Sequence, residues 1–323
     1  MITPLIREIK KKFPDCFLAT LTNPNSANVL LNNPYLDALI IDDLQKNSFW
    51  KVVKYLRKQH FTDGLLVLPT ERAAYQMLLA GIKTRIGVGH KLYEVISGMR
   101  SVDRHNYIPL KHESDFCMDL VRKLGIETDN LELEICVTDA ERTEGMEFLN
   151  KLGIENNDFK FILHTGSLGS SPNWSEGKYL LLIREILKLQ IPNLKIILTA
   201  IEMSADFLNS VAELKEPGII DISRKMQGLR HFIKVISVID LFMSNSTGPL
   251  HIADALNKKC IGINCHRPMN CAKYWGILNK QSINLEVSEE YCDKNCSPNK
   301  DICSFENGIS VQQAIDGIKT LIN

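Results

Sequence analysis

Short runs of uninterrupted apolar residues alternate along this chain with longer stretches whose apolar positions recur every three or four residues. The runs 17–21, 38–41, 65–68, 161–163, 195–199, 219–222, 241–243 and 260–263 have the length and composition of buried strands. Between most of them the spacing is helical, as at Phe49, Val52, Val53 and Leu56, over 180–189, and in the tail over 311–322. Strands that are apolar on both faces, each followed by a helix, imply parallel sheets covered on both sides. The alternation runs in two series, so we expect an α/β protein of two doubly wound, Rossmann-like domains, 1–150 and 151–323. Thr138, with Glu141 three residues on, has the spacing of a capping box and predicts a helix joining them. Doubly wound domains hold their ligands at the carboxyl ends of the strands, and two of them can face a shared cleft.

Composition narrows the partners. Lysine plus arginine equals aspartate plus glutamate at 38 each, so no overall field draws in nucleic acid, and none is expected as a partner. No run of 18 apolar residues is present to span a membrane. The opening "MITPLIREIKKKFP" lacks the apolar core and cleavage site of a secretory leader, so a cytoplasmic location is expected. The 9 cysteines are then expected to be reduced.

Two stretches carry chemistry. In "LFMSNSTGPLHIADAL" (241–256) an apolar strand stops at small and hydroxyl-bearing residues and a helix begins at once. Free N–H groups at a helix start favour an anion. Pro249 suits the first turn, Gly248 lets a ligand approach the backbone, and His251 adds a donor; a plain capped helix fits the same residues. In "FILHTGSLGSSPNWSEGKY" (161–179) a second strand ends in a donor-rich loop containing Ser167. Neither stretch matches a P-loop or the glycine fingerprint of dinucleotide-binding domains.

"DLFMSNSTGPLHIADALNKKCIGI" resembles the signature of glycosyltransferase family 9, the ADP-heptose:lipopolysaccharide heptosyltransferases. "HTGSLGSSPNW", "DGLLVLPTERAAYQMLLAGIKTRIGV" and "TPLIREIKKKFPDC" resemble its other segments, so the similarity runs nearly end to end. The resemblance implies a GT-B fold with the nucleotide-sugar donor in the C-terminal domain and the acceptor on the N-terminal one. It implies inverting, metal-independent transfer of a heptose from an ADP-type donor to the lipopolysaccharide core, with no cofactor. By position, Ser246, Thr247, Gly248, Pro249, His251 and Ser167 would hold the donor diphosphate. Glu202 would meet the ribose, and Met226 and Gln227 the adenine; for Glu202 a solvated helix-start acid fits equally. A monomer is expected, and peripheral contact with the inner membrane stays open.

The chain departs from the family's pattern twice. The loop before Trp174 reads Ser171-Pro172-Asn173, with no cation for the phosphates, and Lys178 is the nearest substitute. Relatives also begin with a strand and a Gly-Asp loop that supplies the catalytic base, whereas here Met1 and Ile2 directly precede Thr3-Pro4. The first domain is therefore expected to lack its central strand, and no catalytic residue is assigned. Three readings are open: the natural chain starts upstream, it binds without catalysing, or another strand and base serve. Asp42, Asp43, Glu71 and His90 follow first-domain strands, where solvated loop residues are the simpler reading. The first helix keeps Thr3 as cap, Pro4 in its first turn, and Leu5, Ile6, Ile9 and Phe13 on one face.

Lys83, Arg85, Lys91, Arg100, Arg104 and Lys111, with His90, His105 and His112 among them, form a locally basic segment suited to an anionic acceptor, or a solvated surface of mixed charge. Arg7, Lys10, Lys11 and Lys12 read as the outer face of the first helix or a contact with an anionic membrane. Cys292, Cys296 and Cys303 lack a clear fourth ligand for zinc, though Cys265, Cys271 or His266 could come near; reduced loop cysteines are the default and no metal is expected. Transfer of another sugar to another surface glycan, or a non-catalytic glycan- or nucleotide-sugar-binding role, stays open.

Overall fold

The computed structural model describes residues 1–89, 91–104, 107–167, 169, 171–296 and 303–322, divided into two compact units, Met1–Leu131 and Glu132–Asn323. The first unit alternates α1 (Thr3–Lys12), β1 (Ala19–Thr22), α2 (Pro24–Leu30), β2 (Ala38–Ile41), α3 (Phe49–Lys58), β3 (Asp63–Leu65), α4 (Glu71–Ala80), β4 (Thr84–Val88), α5 (Leu92–Ile96), β5 (Arg100–Val102) and α6 (Glu113–Arg122). Its parallel strands form two sheets, β1-β2 and β3-β4-β5. One helical layer packs across both: Leu5, Ile6 and Ile9 of α1 share a core with Leu39 on one side and Ile86 and Val88 on the other. A second layer gathers Val52 and Leu56 of α3 with Leu21, Ile40 and Leu66.

The first helix departs from expectation at both ends. Ile2 already has helical backbone angles and takes the cap position, so Thr3 is buried inside the first turn. The helix ends at Lys12, which leaves Phe13 exposed past its end. Of the four basic residues of α1, Lys11 and Lys12 are exposed at its end and the other two are engaged. Arg7 is buried and donates to the Asn130 carbonyl at 2.7 Å, and Lys10 pairs with Asp37 at 2.7 Å.

The second unit runs α7 (Asp139–Asn150), β6 (Phe159–His164), α8 (Glu176–Lys188), β7 (Leu194–Thr199), α9 (Ala205–Ala212), β8 (Ile219–Asp221), α10 (Leu229–Ile236), β9 (Leu241–Asn245), α11 (Gly248–Ala255), β10 (Lys259–Asn264), α12 (Ala272–Trp275), β11 (Ile283–Glu286), α13 (Glu289–Asn295), α14 (Phe305–Gly308) and α15 (Val311–Ile322). The capping box at Thr138 and Glu141 is formed. Its helix, α7, packs on α10, where Glu141 takes a two-pronged ion pair from Arg230 at 2.7 and 2.6 Å. All six strands are parallel in one sheet, in the order β11-β10-β9-β6-β7-β8. The chain winds outward from β6 through β7 and β8, then returns to place β9 on the other side. That reversal makes the β6–β9 boundary the topological switch point. Phe161, Leu163, Leu241, Met243, Ile261 and Ile263 bury one face of this sheet under α8 and α15.

Candidate active site

The two donor-rich loops begin side by side. His164, the last residue of β6, is paired in register with Ser244 of β9. The loops after these two strands therefore emerge at the switch point, on the carboxyl edge where doubly wound sheets bind ligands. A hydrogen bond joins the loops: the Asn245 side-chain N–H donates to the Asn173 side-chain oxygen at 2.5 Å. Asn173 in turn donates to the Ser167 hydroxyl at 2.9 Å, and that hydroxyl donates to the Ser171 carbonyl at 3.0 Å. The segment that lacks a cation is thus a latch built from two asparagines and a serine.

Beyond β9 the hydroxyls are divided between scaffold and opening. Ser244 and Thr247 share a hydrogen bond at 2.9 Å, and both are buried. Thr247 consequently makes no side-chain cap on α11, although it stands at the cap position. The Ser246 N–H donates to the Ile263 carbonyl at 3.0 Å and fixes the turn against β10. Gly248 is exposed, and a methyl group added there would meet no protein atom within 4 Å. Its backbone is not left-handed, so neither conformation nor packing demands a glycine; open space in front of the helix start is what remains. Pro249 follows in the first turn. His251 stands half-buried one turn into α11, its ring 5.7 Å from that of Trp275.

The other assigned residues lie along the same edge. Glu202 follows β7 and is exposed; Met226 and Gln227 follow β8. The Ala200 N–H donates to the Ser223 hydroxyl at 3.0 Å, joining the β7 and β8 loops. Four consecutive strand ends, β9-β6-β7-β8, thus carry every residue the motifs selected. A separate pocket of about 570 Å³ lies beside the edge strand β8, lined by Leu198, Leu208, Val211 and Ile219.

Two side chains of this region do not serve as phosphate cations. Lys178 donates to the carbonyls of Glu306 and, at 2.6 Å, Ile309, with its ammonium over the Trp174 ring. His164 is buried and bonded to the Thr199 hydroxyl at 3.0 Å, and burial pushes its pKa down to about 4, so it is neutral at physiological pH. Among the residues the motifs select here, the groups able to meet an anion are backbone N–H groups, hydroxyls and His251, while Arg224 and Lys225 stand exposed in the loop after β8.

In the first unit, two of the candidate bases, Asp42 and Asp43, are already engaged. Arg72 grips Asp42 with two bonds at 2.9 and 3.0 Å, and Gln76 adds a third at 3.1 Å. Burial acts to raise the Asp42 pKa, but these donors hold it below the ordinary value, the wrong direction for a general base. Asp43 accepts the Gln45 N–H at 3.0 Å, and Glu71 is exposed in the first turn of α4. The basic segment is also partly structural. Arg85 donates to the Ser97 carbonyl at 2.8 Å, Arg104 pairs with Glu113 at 3.2 Å, Lys111 pairs with Asp119 at 2.7 Å, and His112 caps α6. Lys83, Lys91 and Arg100 are exposed. His90 and His105 lie outside the described residues.

Sequence and structure comparisons agree with this architecture. The chain is 22% identical over 272 residues to lipopolysaccharide heptosyltransferase 1 of Campylobacter coli, covering 80% of this chain and 78% of that one. The structure of a glycosyl transferase family 9 protein from Veillonella parvula superposes with a TM-score of 0.79 at 20% identity, covering 99% of this chain and 92% of that one. Escherichia coli ADP-heptose lipopolysaccharide heptosyltransferase II superposes with a TM-score of 0.71 at 15% identity, covering 99% and 93%. The fold is GT-B. The family model of glycosyltransferase family 9 (heptosyltransferase) matches residues 49–303, so the chain belongs to that family and is a glycosyltransferase.

Proposed function

We propose that the protein transfers a heptose or related sugar from an ADP-type nucleotide-sugar to a lipopolysaccharide-core acceptor, with inversion and without a metal at the reacting centre. One observation carries the donor half: the four loops on the carboxyl edge of the second unit's sheet, two of them latched together by Asn173 and Asn245. In this reading the diphosphate lies before Gly248 and the start of α11, with His251 as an added donor. The nucleoside extends past β6 toward Glu202, Met226 and Gln227. From β9 to β8 is three strand spacings, roughly 14 Å, a length that suits an extended nucleoside diphosphate. The acceptor half rests on the family and on the heptosyltransferase names of its relatives. Among the described residues no helix is long and apolar enough to cross a membrane, and we place the protein in the cytoplasm, meeting a lipid-borne acceptor at the membrane's inner face.

Gly248→Val tests the donor site. The added side chain meets no protein atom within 4 Å at its Cβ, so the fold is expected to stand while the approach to the helix start is blocked. Calorimetry with ADP is expected to show binding at least tenfold weaker, about 1.4 kcal/mol, with an unchanged melting temperature. Wild-type ADP affinity in this variant would overturn the site assignment. A panel of ADP-, UDP- and GDP-sugars then ranks the donor.

A further inference from the structure

The segment after β10 carries an aromatic pair that no motif selects, and it lies against the helix start that faces the open edge. Gly248, His251 and Asp254 stand three residues apart and form one row along α11. At the far end of the row Asp254 is buried and accepts the Leu278 and Asn279 N–H groups at 3.1 and 2.9 Å. In the middle, the His251 ring meets the Trp275 indole at 5.7 Å and 41°. At the near end Gly248 is exposed. Residues 275–279 thus cover the row as far as His251, and Trp275 borders the open position.

The same segment is clamped to the sheet on its other side. Glu286, the last residue of β11, accepts the Ala272 N–H at 2.5 Å and closes the start of α12. The Asn284 side chain accepts the Ile277 N–H at 2.9 Å and donates to the Ile277 carbonyl at 3.1 Å. Gly262 of β10 lets the segment come close to α11, since a methyl group there would stand 2.9 Å from both Ile277 and Leu250. Gly276 permits the sharp exit from α12, because a side chain there would stand 2.4 Å from the Ala272 carbonyl. Tyr274 is the buried anchor of the pair, 3% exposed and edge-on to Trp275 at 4.9 Å. Trp275 itself is only half-buried, so packing of the core does not account for the face it turns to His251.

We propose that Trp275 is a positioning residue of the donor site, holding the His251 imidazole in place before a diphosphate arrives in front of Gly248. The proposal rests on the donor-site reading given above. Its physical basis is pre-organisation: an imidazole already packed on a fixed ring has fewer rotamers to lose when a ligand binds. The ring separation falls within the about 4.5–7 Å over which aromatic pairs attract beyond simple burial.

The test is ADP calorimetry on the full chain, in a double-mutant cycle of His251→Ala and Trp275→Leu, with Trp275→Phe alongside. His251→Ala and Trp275→Leu should each weaken ADP binding by roughly threefold to tenfold. Because Trp275 acts through His251, the double variant should bind no more weakly than His251→Ala alone. Trp275→Phe keeps a ring and should recover most of the lost affinity. If Trp275→Leu lowers the melting temperature, the bulkier Trp275→Met takes its place in the cycle. Wild-type affinity in the ring-less variant, losses that multiply in the double variant, or no recovery in Trp275→Phe would each overturn the positioning role and leave the donor site standing. Wild-type affinity in His251→Ala would overturn the part given to His251 in the donor site, and the positioning role with it.

Discussion

The two units are built from the same parallel strand–helix alternation, yet their sheets differ in continuity. In the second unit six strands run unbroken, and β9 is buried from end to end. In the first, five strands divide into sheets of two and three, and β1 is half-buried at every position. Common helical layers cover both pieces, so helices, not strand pairing, hold the pieces in one body. At the pieces' lower corner Phe17 and Phe61 stack at 6.0 Å, just before β1 and β3. A continuous buried sheet fixes the loops at its carboxyl edge, and the motifs that resemble a donor site lie on that sheet. The comparison separates a half held by one continuous sheet from one whose shape depends on helix packing.

The sharpest way to break that contrast is to truncate a matched apolar residue on each side. Leu241→Ala, in fully buried β9, is expected to cost about 2–5 kcal/mol, whereas Leu21→Ala in half-buried β1 should cost on the order of 1 kcal/mol. Urea melts of the two variants decide it, and equal losses would erase the distinction. Next in size is a pH effect in the second unit. Burial lowers the pKa of His164 to about 4 from an ordinary 6.5, so between those values the unfolded chain binds the proton and the folded chain does not. Stability is full above about pH 6.5 and is lost as pH falls toward 4, by up to roughly 3 kcal/mol. A His164→Gln variant should flatten that slope in denaturant melts taken across the window. The smallest effect concerns the latch: Asn245→Ala removes the donor to the exposed Asn173 side-chain oxygen and should cost about 0.5–1.5 kcal/mol. It should also weaken ADP binding by loosening the loop after β6, and an unchanged ADP affinity would show that the loops are positioned independently.

How much was legible in the sequence tracks the same difference. The buried strands β6, β7, β9 and β10 announce themselves as apolar runs, and the small residues after β6 and β9 mark the edge that the structure brings together. Strands β5 and β11 escape a sequence reading: Arg100–Val102 is three residues long, and Ile283–Glu286 alternates polar and apolar residues as an edge strand does. Side-chain partners were the least legible part. Asn173 and Asn245 stand 72 residues apart, and no local pattern marks either as a partner of the other. Thr247 reads as a helix cap, but the Ser244 hydroxyl three residues earlier claims it. Lys178 reads as a spare cation until the chain's last helices come back to it.

That return has a consequence for synthesis. The loop after β6 is held at one end by its strand and at the other by Ser175 and Lys178, which are fastened to Glu306 and Ile309. Its far anchor lies 131 residues further along the chain and leaves the ribosome well after the loop does. A nascent chain can pair β6 with β7 long before then, since contacts close in sequence form early. The loop after β6 takes its final shape only once those later residues have been added.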